Sequence, residues 1–214
     1  MQMRIELAGQ TFSLHPFKVM YWEEQSILLI ADLHLGKSRH FRKEGFPVPQ
    51  AVGDSNYDKL ISVFLDFQPA RVVFLGDLFH SDYNKEWLEF EDLMERFPAI
   101  QFDLVKGNHD ILETGLYDQS RMHIHHEVLA IQPFILTHEP LEEIAEGWYN
   151  LSGHIHPCVW LKGRGRQKLR LPCFYFNDQK GILPAFGAFT GMAAIPIKKG
   201  DRVFGVTEKS VLAL

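Results

Sequence analysis

Residues 27–41, ILLIADLHLGKSRHF, run from four apolar residues into an acidic and an imidazole side chain, Asp32 and His34, and then into basic residues. A short apolar run of this kind is typical of a strand that is buried in a sheet. A carboxylate at the end of a buried strand needs a compensating partner, because an uncompensated buried charge costs several kcal/mol. The end of this strand is therefore a candidate functional site.

The rest of the chain repeats this pattern of short apolar runs. Like residues 27–31, residues 71–75, 101–106 and 133–137 are predicted strands. Apolar residues at helical spacing predict helices over 54–67, with Asp54 as the N-cap, and over 84–97. After residue 150, strand and turn patterns replace the helices and indicate a second sheet layer. The length of 214 residues fits one α/β domain, residues 1–214.

The two predicted helices each have one apolar face, which we assign to the core. In the first helix these residues are Tyr57, Leu60, Ile61, Phe64 and Leu65, and in the second they are Trp87, Phe90, Met94 and Phe97.

Composition narrows the classes of protein that the chain can belong to. The formal net charge of -5 argues against a broad nucleic-acid-binding surface, although two bound divalent cations would remove most of it. Two cysteines are too few for a disulfide framework. No apolar stretch is long enough for a signal peptide or a membrane span. We therefore expect a cytoplasmic protein without a membrane partner.

Polar clusters follow all the predicted strands, and one more lies in LSGHIHP. In open sheets flanked by helices, ligands bind beyond the carboxyl ends of the strands, so these clusters are expected to meet in one crevice. Residues two apart on an extended chain point to the same side, which pairs Asp32 with His34 and His154 with His156. The remaining members are Asp77, His80, Asn108, His109, Asp110 and His138. Carboxylate, imidazole and amide ligands together suit Mn²⁺, Fe²⁺ or Zn²⁺.

In chain order the clusters read Asp-x-His, Gly-Asp, Gly-Asn-His-Asp, a lone His and Gly-His-x-His. This order resembles the signature of the calcineurin-like metallophosphoesterase superfamily. The resemblance implies a four-layer α/β sandwich of two mixed β-sheets flanked by α-helices, and two divalent metal ions, foremost Mn²⁺, with Fe²⁺ or Zn²⁺ as alternatives. The implied ligands are Asp32, His34 and His156 for one ion, Asn108, His138 and His154 for the other, and Asp77 as the bridge.

The resemblance also implies roles for two residues that are not metal ligands. His109 matches the catalytic histidine of the superfamily, and Asp110 matches the carboxylate that orients it. Two divalent ions stabilise the charge that builds on a phosphate group, and His109 is expected to stabilise or protonate the leaving oxygen. The alternative is that His109 has only a supporting structural role beside Asn108.

Further segments narrow the match. ADLHLGKSRHFRKEGFPVP, GDLFHS, GNHD, THEP and SGHIHP together are similar to the bacterial ligase-associated DNA damage response endonucleases (PdeM type). This similarity implies DNA as the substrate, a role in DNA repair, and a DNA ligase and a helicase as associated proteins. One alternative is a small-molecule phosphodiesterase acting on a nucleotide or on a UDP-diacylglucosamine-type pyrophosphate. Hydrolases of the latter kind typically have arginine where this chain has His109, and no long apolar cap segment is present for an acyl chain. A metal-free scaffold on the same fold is a third hypothesis, but it would not require the complete ligand set.

Basic residues in two segments are candidates for contacts with a phosphate backbone. One group follows the first cluster, and the other alternates through KGRGRQKLR, where a hairpin would place alternate residues on one face. A charged hairpin edge that resists aggregation is an equally good interpretation of the second group. His80, three residues after Asp77, either approaches the substrate or packs at the rim. The candidates are Lys37, Arg39 and Arg42 in the first group, and Lys162, Arg164, Arg166 and Lys168 in the second.

Two further features lie outside the motif order. The histidines of RMHIHHEV are expected on a solvated loop or strand edge rather than in a metal site. If the KGRGRQKLR hairpin pairs symmetrically about Gly165 and Arg166, Cys158 lies opposite Cys173, and both are expected to remain free thiols.

Overall fold

The structure is a computed structural model that describes residues 1–36, 51–79, 85–111, 117, 120–163, 168–187 and 190–214. At residues 51–54, 85–86 and 162 only the backbone is described. Two mixed β-sheets and two α-helices make up the described regular structure.

The first sheet has seven strands in sequential order. Strands β1 to β4 are antiparallel, and β4 to β7 are parallel to one another. The strands are β1 (Met3–Leu7), β2 (Gln10–Leu14), β3 (Met20–Trp22), β4 (Ile27–Ile30), β5 (Arg71–Leu75), β6 (Gln101–Val105) and β7 (Met122–His125). The parallel half follows from the crossover helices, since parallel neighbours cannot be joined by a tight turn.

The second sheet has nine strands in the described part of the chain. Its path runs β14-β11-β12-β13-β10-β9-β8, and β15 and β16 extend it beside β12. The strands are β8 (Val128–Ile131), β9 (Phe134–Thr137), β10 (Tyr149–Ser152), β11 (Pro157–Lys162), β12 (Lys168–Phe176), β13 (Lys180–Ile182), β14 (Ala193–Ala194), β15 (Arg202–Val206) and β16 (Val211–Ala213). The predicted second sheet layer is thus confirmed, and the predicted strands of the first 140 residues agree with the observed ones to within a residue.

The helices follow β4 and β5 and cover one face of the first sheet. Helix α1 spans Ala51–Phe67 and helix α2 spans Lys85–Arg96. Helix α1 begins three residues before the predicted start, so Asp54 lies inside the helix and is not its N-cap. Leu65 is also wrongly assigned to the core, because it is 62% exposed while Val63 is buried. Each residue turns a helix by about 100°, which carries Leu65 off the face that Phe64 buries.

Two apolar clusters form the core, one on each face of the first sheet. Along β4, Leu28 and Ile30 pack towards the helices, whereas Ile27 and Leu29 pack towards the second sheet. This alternation is the two-residue period of a strand with both faces buried. A third, smaller cluster lies around Cys173 on the outer face of the second sheet. In the described ranges that face is covered by loop residues such as Ile155 and Ile195, not by a helix.

The hairpin of β11 and β12 pairs one residue out of the predicted register. Cys158 lies opposite Pro172, and Lys162 lies opposite Lys168. The predicted pairing of Cys158 with Cys173 is therefore wrong, because the pairs are symmetric about Gly165 alone rather than about Gly165 and Arg166. Both cysteines are free thiols in the structure.

Part of the histidine-rich segment RMHIHHEV forms β7, which pairs only with β6 among the described strands. The predicted strand edge or solvated loop is confirmed for exposed His123 on β7 and for exposed His126 in the bend that follows it. His125 differs, since its Nε2 lies 2.7 Å from Oδ1 of buried Asp103. No helix among the described residues is long and apolar enough to cross a membrane.

Candidate metal centre

The polar clusters lie in loops that follow β4, β5, β6, β9 and β10, at the carboxyl ends of these strands. The loops are bound to one another by their backbones. The Asp32 N–H donates to Gly76 O at 3.2 Å, the His34 N–H donates to Asp77 O at 2.8 Å, and the Gly153 N–H donates to His138 O at 3.0 Å. The predicted convergence on one crevice is therefore observed, and the crevice spans the edges of both sheets.

Five of the polar residues have left-handed backbone conformations, which L-residues rarely adopt. Their φ angles lie between 49° and 66°. Such conformations cost on the order of 1–3 kcal/mol each and persist where the surrounding structure holds them, typically at functional sites. The residues are Asp32, His34, Asp77, His154 and His156.

The backbones of Asp32 and His34 differ from the extended conformation that the sequence predicts. Asp32 and His34 were paired because alternate residues of an extended chain share a side, but β4 ends at Ile30 and neither residue is extended. They still come together, because the turn rather than the strand pleat directs both side chains into the crevice. His154 and His156 diverge from each other, since His154 faces His138 while His156 faces Asp32.

Asp32, His34 and His156 form the first group of potential ligands, with ligand atoms all within 4.8 Å of one another. The His156 Nδ1 lies 3.1 Å from Gly191 O, a contact that favours the tautomer with Nδ1 as the donor and directs Nε2 to the first group as the potential ligand atom. That Nε2 is buried and makes no hydrogen bond in the described part of the chain, although Asp32 Oδ1 is only 3.3 Å away. A buried acceptor nitrogen aimed at a carboxylate fits a cation between them.

Asp32, Asp77 and His138 form a second group by the same criterion. The His138 Nδ1 donates to Leu75 O at 2.9 Å, so its Nε2 faces the crevice as an acceptor. Asp32 belongs to both groups. Asp77 belongs to the second group and also reaches the first, because its Oδ2 is 3.7 Å from His34 Nε2 while its Oδ1 is 3.5 Å from His138 Nε2. This position is the one that a carboxylate shared by two ions would occupy.

Asn108 and His154 lie on the side of His138. The His154 Nδ1 is 3.0 Å from His138 Nε2. The Asn108 amide nitrogen donates to Glu139 Oε1 at 3.0 Å, and Glu139 is also 3.9 Å from His154 Nε2. Glu139 was not identified from the sequence, where its only signal is its position directly after His138.

His109 and Asp110 occupy different environments. His109 is exposed at the rim, with its ring centroid 5.5 Å from that of His34, and its backbone N–H donates to Asp77 Oδ1 at 3.0 Å. The Asp110 carboxylate is buried, and its described partners are the backbone N–H groups of Leu78, Phe79 and Gly107. It therefore ties the loops after β5 and β6 together, and the described contacts do not include the predicted one with the His109 ring. Burial raises the pKa of Asp110 to about 6, despite the amides that favour its charged form.

The glycines of the motifs are required by close approach. Gly76 has a φ of +77°, and a Cβ there would overlap the His138 ring. A Cβ at Gly107 would overlap Asp77 Oδ1. Side chains at either position would displace a potential ligand.

Most of the predicted substrate-binding residues lie outside the described part of the chain. These are His80, Lys37, Arg39, Arg42, Arg164 and Arg166, and the side chain of Lys162 is likewise not described. Lys168 is exposed. The register places residues 160, 162, 168 and 170 on one face of the hairpin, as the alternation predicted. On that face Trp160 is 52% exposed, with the Arg170 guanidinium 5.7 Å from its ring centroid.

The loops and ligand groups are those of a metal-dependent phosphoesterase, and sequence comparison agrees. The family model of calcineurin-like phosphoesterases matches residues 25–170, and the chain belongs to that family. It is accordingly a metal-dependent phosphoesterase of the hydrolase class.

Among solved structures, the chain is similar to the nuclease MPE of Pseudomonas putida, with 29% identity, a TM-score of 0.84, and complete coverage of both chains. A phosphoesterase from E. coli, Yfce, is a distant match at 14% identity and a TM-score of 0.43, covering 83% of this chain and 86% of that one. No curated protein sequence matches the chain.

Proposed function

We propose that residues 1–214 act as one domain that hydrolyses phosphodiester bonds in DNA as an endonuclease, with two divalent ions, foremost Mn²⁺. The observation that carries the hydrolytic part is the convergence of two potential ligand groups, which share Asp32 and are linked by the contacts of Asp77 with His34 and His138. Support for a nucleic-acid substrate comes from the similarity to the Pseudomonas putida nuclease over the full length of both chains. Support for DNA comes from the motif similarity to ligase-associated endonucleases.

We assign one ion to Asp32, His34 and His156, the other to Asn108, His138 and His154, and the bridging position to Asp77. When bound, the ions would supply Lewis-acid stabilisation of the phosphate and of the attacking water. The chain's own contribution is to hold the donors still. Hydrogen bonds from the ring Nδ1 atoms of His138 and His156 to backbone carbonyls fix the orientation of each ring.

His109 has the exposure and position of a group that handles the leaving oxygen. Its ring is at the rim beside His34, and its backbone is held by Asp77. We propose that it donates a proton or a hydrogen bond to the oxygen that departs. Asp110 would support this indirectly, by fixing the loop on which His109 lies.

The β11–β12 hairpin supports a polymeric substrate. β11 begins directly after His156, and six residues of strand reach roughly 20 Å, which is too far for a small diester bound at the ligand groups. Its one face combines exposed Trp160 with Lys168 and Arg170, and aromatic and basic side chains together bind single-stranded nucleic acid. We propose that this face contacts the DNA backbone, together with Lys162, Arg164 and Arg166. We propose that Lys37, Arg39, Arg42 and His80, which follow ligand residues in the sequence, contact the substrate as well.

The cellular setting is part of the same proposal. The motif similarity to ligase-associated endonucleases supports a role in DNA repair, in the cytoplasm, together with a DNA ligase and a helicase. These assignments depend on DNA being the substrate.

The test is an assay of the purified protein with Mn²⁺ against single-stranded DNA, duplex DNA, cyclic dinucleotides and a chromogenic phosphodiester. We expect cleavage within DNA, including circular single strands that offer no end. Neutralising Lys162, Arg164, Arg166 and Lys168 together should reduce DNA cleavage far more than cleavage of the chromogenic diester, and should flatten the salt dependence of DNA binding. Turnover of cyclic dinucleotides without any DNA cleavage would instead favour a small-molecule phosphodiesterase.

A further inference from the structure

A two-part cleft leads from the first ligand group to the outer surface. Its inner cavity, of about 220 Å³, is lined by His156, Lys18 and Pro172 among others. Its outer cavity, of about 530 Å³, shares Lys18 and Pro172 and adds Phe17 and Lys59. The outer part is within the usual size of sites for small organic ligands, about 300–1,000 Å³.

Lys18 is held at the junction of the two cavities by a tight turn. The turn between β2 and β3 is closed by hydrogen bonds from the Lys18 N–H to His15 O at 2.8 Å and from the His15 N–H to Val19 O at 3.0 Å. Lys18 has a φ of 63°, a left-handed conformation that residues other than glycine rarely adopt. The hydrogen bonds of the turn therefore fix the position of the Lys18 backbone at the junction of the two cavities.

The Lys18 ammonium is half-buried and poorly satisfied. It donates to Gly187 O at 3.4 Å, a long bond, and this is its one hydrogen bond in the described ranges. Gly187 in turn donates to Asp32 O at 3.1 Å, which attaches this contact to the chain segment that carries the first ligand group. Burial and neighbouring Lys59 lower the pKa of Lys18 to about 8, so the ammonium remains mostly charged at pH 7.

The outer cavity has the character of a site for a base. Its apolar walls include Phe17, Leu171, Pro172 and Val206, and the lining also contains Glu208. The Lys59 ammonium lies 5.9 Å from the Phe17 ring centroid. An apolar wall beyond a cation matches the alternation of base and phosphate along a nucleic-acid strand.

We propose that this cleft binds the nucleotide next to the scissile phosphate, with Lys18 holding the neighbouring phosphate and the outer cavity holding the base against Phe17. The inference rests on the proposed function, because it needs a polynucleotide substrate. It adds a binding site on the β2–β3 turn, a segment that no sequence motif identifies. In the described ranges the Lys18 ammonium has no ion pair with a carboxylate, although Asp32 acts on it at longer range, so an entering phosphate would add a charge-assisted hydrogen bond.

The test compares Lys18→Met with Lys180→Met. Lys180 is a matched control, since it is also half-buried and donates a long bond, 3.3 Å, to a backbone carbonyl, that of Glu142. The probe is a fluorescein-labelled oligothymidylate of eight nucleotides, measured by anisotropy in EDTA, so that the readout does not depend on bound metal. We expect Lys18→Met to weaken binding about tenfold or more, and to reduce the log-log salt slope by about 0.7, the value for one single-strand phosphate.

Two further variants keep the test decisive if Lys18→Met folds poorly. Lys18→Arg retains the charge and should bind within a fewfold of the unmodified protein, and Lys59→Met should weaken binding without altering the β2–β3 turn. With Mn²⁺, the Lys18→Met loss in cleavage should be at least tenfold larger for the oligonucleotide than for a chromogenic diester.

The outcomes separate the two proposals. Suppose that the unmodified protein cuts DNA, and that Lys18→Met binds the probe as well as Lys180→Met does. The cleft is then not a nucleotide site, and the endonuclease proposal stands. If the unmodified protein neither binds nor cuts DNA, the endonuclease proposal fails and the cleft inference fails with it.

Discussion

The buried carboxylate of Asp103, on β6 between β5 and β7 of the first sheet, gives a prediction whose size follows from its contacts. It accepts hydrogen bonds from Arg71 Nε at 2.7 Å and Nη2 at 2.6 Å, and from Gln101 Nε2 at 2.9 Å. His125 Nε2 is a further partner at 2.7 Å. The Asp103 side chain is wholly buried and that of Arg71 is 23% exposed, so solvent screens this pair only slightly.

Asp103→Asn keeps the shape of the side chain and removes its charge. The variant leaves the Arg71 guanidinium without an anion and turns an amide NH₂ group towards either Arg71 or His125. Removing one partner of a buried ion pair costs about 3–5 kcal/mol. For a chain of this length, the lower figure corresponds to a fall of about 6–12 °C in melting temperature.

The effect should depend on pH in a defined direction. Burial acts to raise the pKa of Asp103, but the hydrogen bonds from Arg71 and His125 outweigh it and hold the pKa below the ordinary 3.8. A carboxylate with a depressed pKa stabilises the folded state above pH 3.8, and this stabilisation is lost as the pH falls through the folded-state value. The difference between the two proteins should therefore be constant near neutral pH and shrink in acid below pH 3.8.

The assay is thermal unfolding by circular dichroism, with and without EDTA, across this pH range. Asp178→Asn is the control, because Asp178 is an exposed carboxylate in the turn between β12 and β13. A fall of less than 2 °C for Asp103→Asn, or an equal fall for the control, would refute the reasoning that this network stabilises the sheet.

Three other predictions concern the candidate site and the thiols. Asp77→Asn should lower metal content after dialysis, measured by mass spectrometry, and activity far more than thermal stability; two retained ions with near-normal turnover would contradict the bridging role. His109→Ala should retain metal but lose most turnover, and the loss should be smaller on a nitrophenyl ester, whose leaving group needs no proton; equal losses on both substrates would exclude an acid role. Cys158 and Cys173 are buried, and burial raises the pKa of Cys173 to about 12. Alkylation at pH 8 should therefore be slow in the native protein and complete after unfolding. A disulfide found in rapidly alkylated cells would overturn the assignment of free thiols.

The sequence predicted a helix or strand correctly where the spacing of apolar residues within that element was regular. Strand β4 was evident because four consecutive apolar residues need burial on both faces. The core residues Trp87 and Phe90 were evident because helical spacing places them on one side. The error at Leu65 shows the limit of this argument. The sheet that packs against a helix determines how many residues of its apolar face are buried.

Register and long-range pairing could not be read in this way. The hairpin of β11 and β12 pairs Cys158 with Pro172, one residue from the symmetric expectation, because the symmetry of the sequence does not specify the register of a strand pair. His125 looked like an exposed histidine until β6 placed Asp103 beside it. In both cases the deciding residue lies elsewhere in the chain.

For the candidate site, the sequence pattern was enough to predict which residue types gather, since polar clusters after buried strands are expected to meet where parallel strands end. How these residues are held depends on contacts that are visible only in three dimensions. The left-handed turns at Asp32 and Asp77, the amides that bind Asp110, and the arrival of Lys18 from the β2–β3 turn all depend on contacts between segments distant in sequence. The sequence pattern shows which potential metal ligands are available. Their orientation depends on the contacts that each one makes with neighbouring segments of the fold.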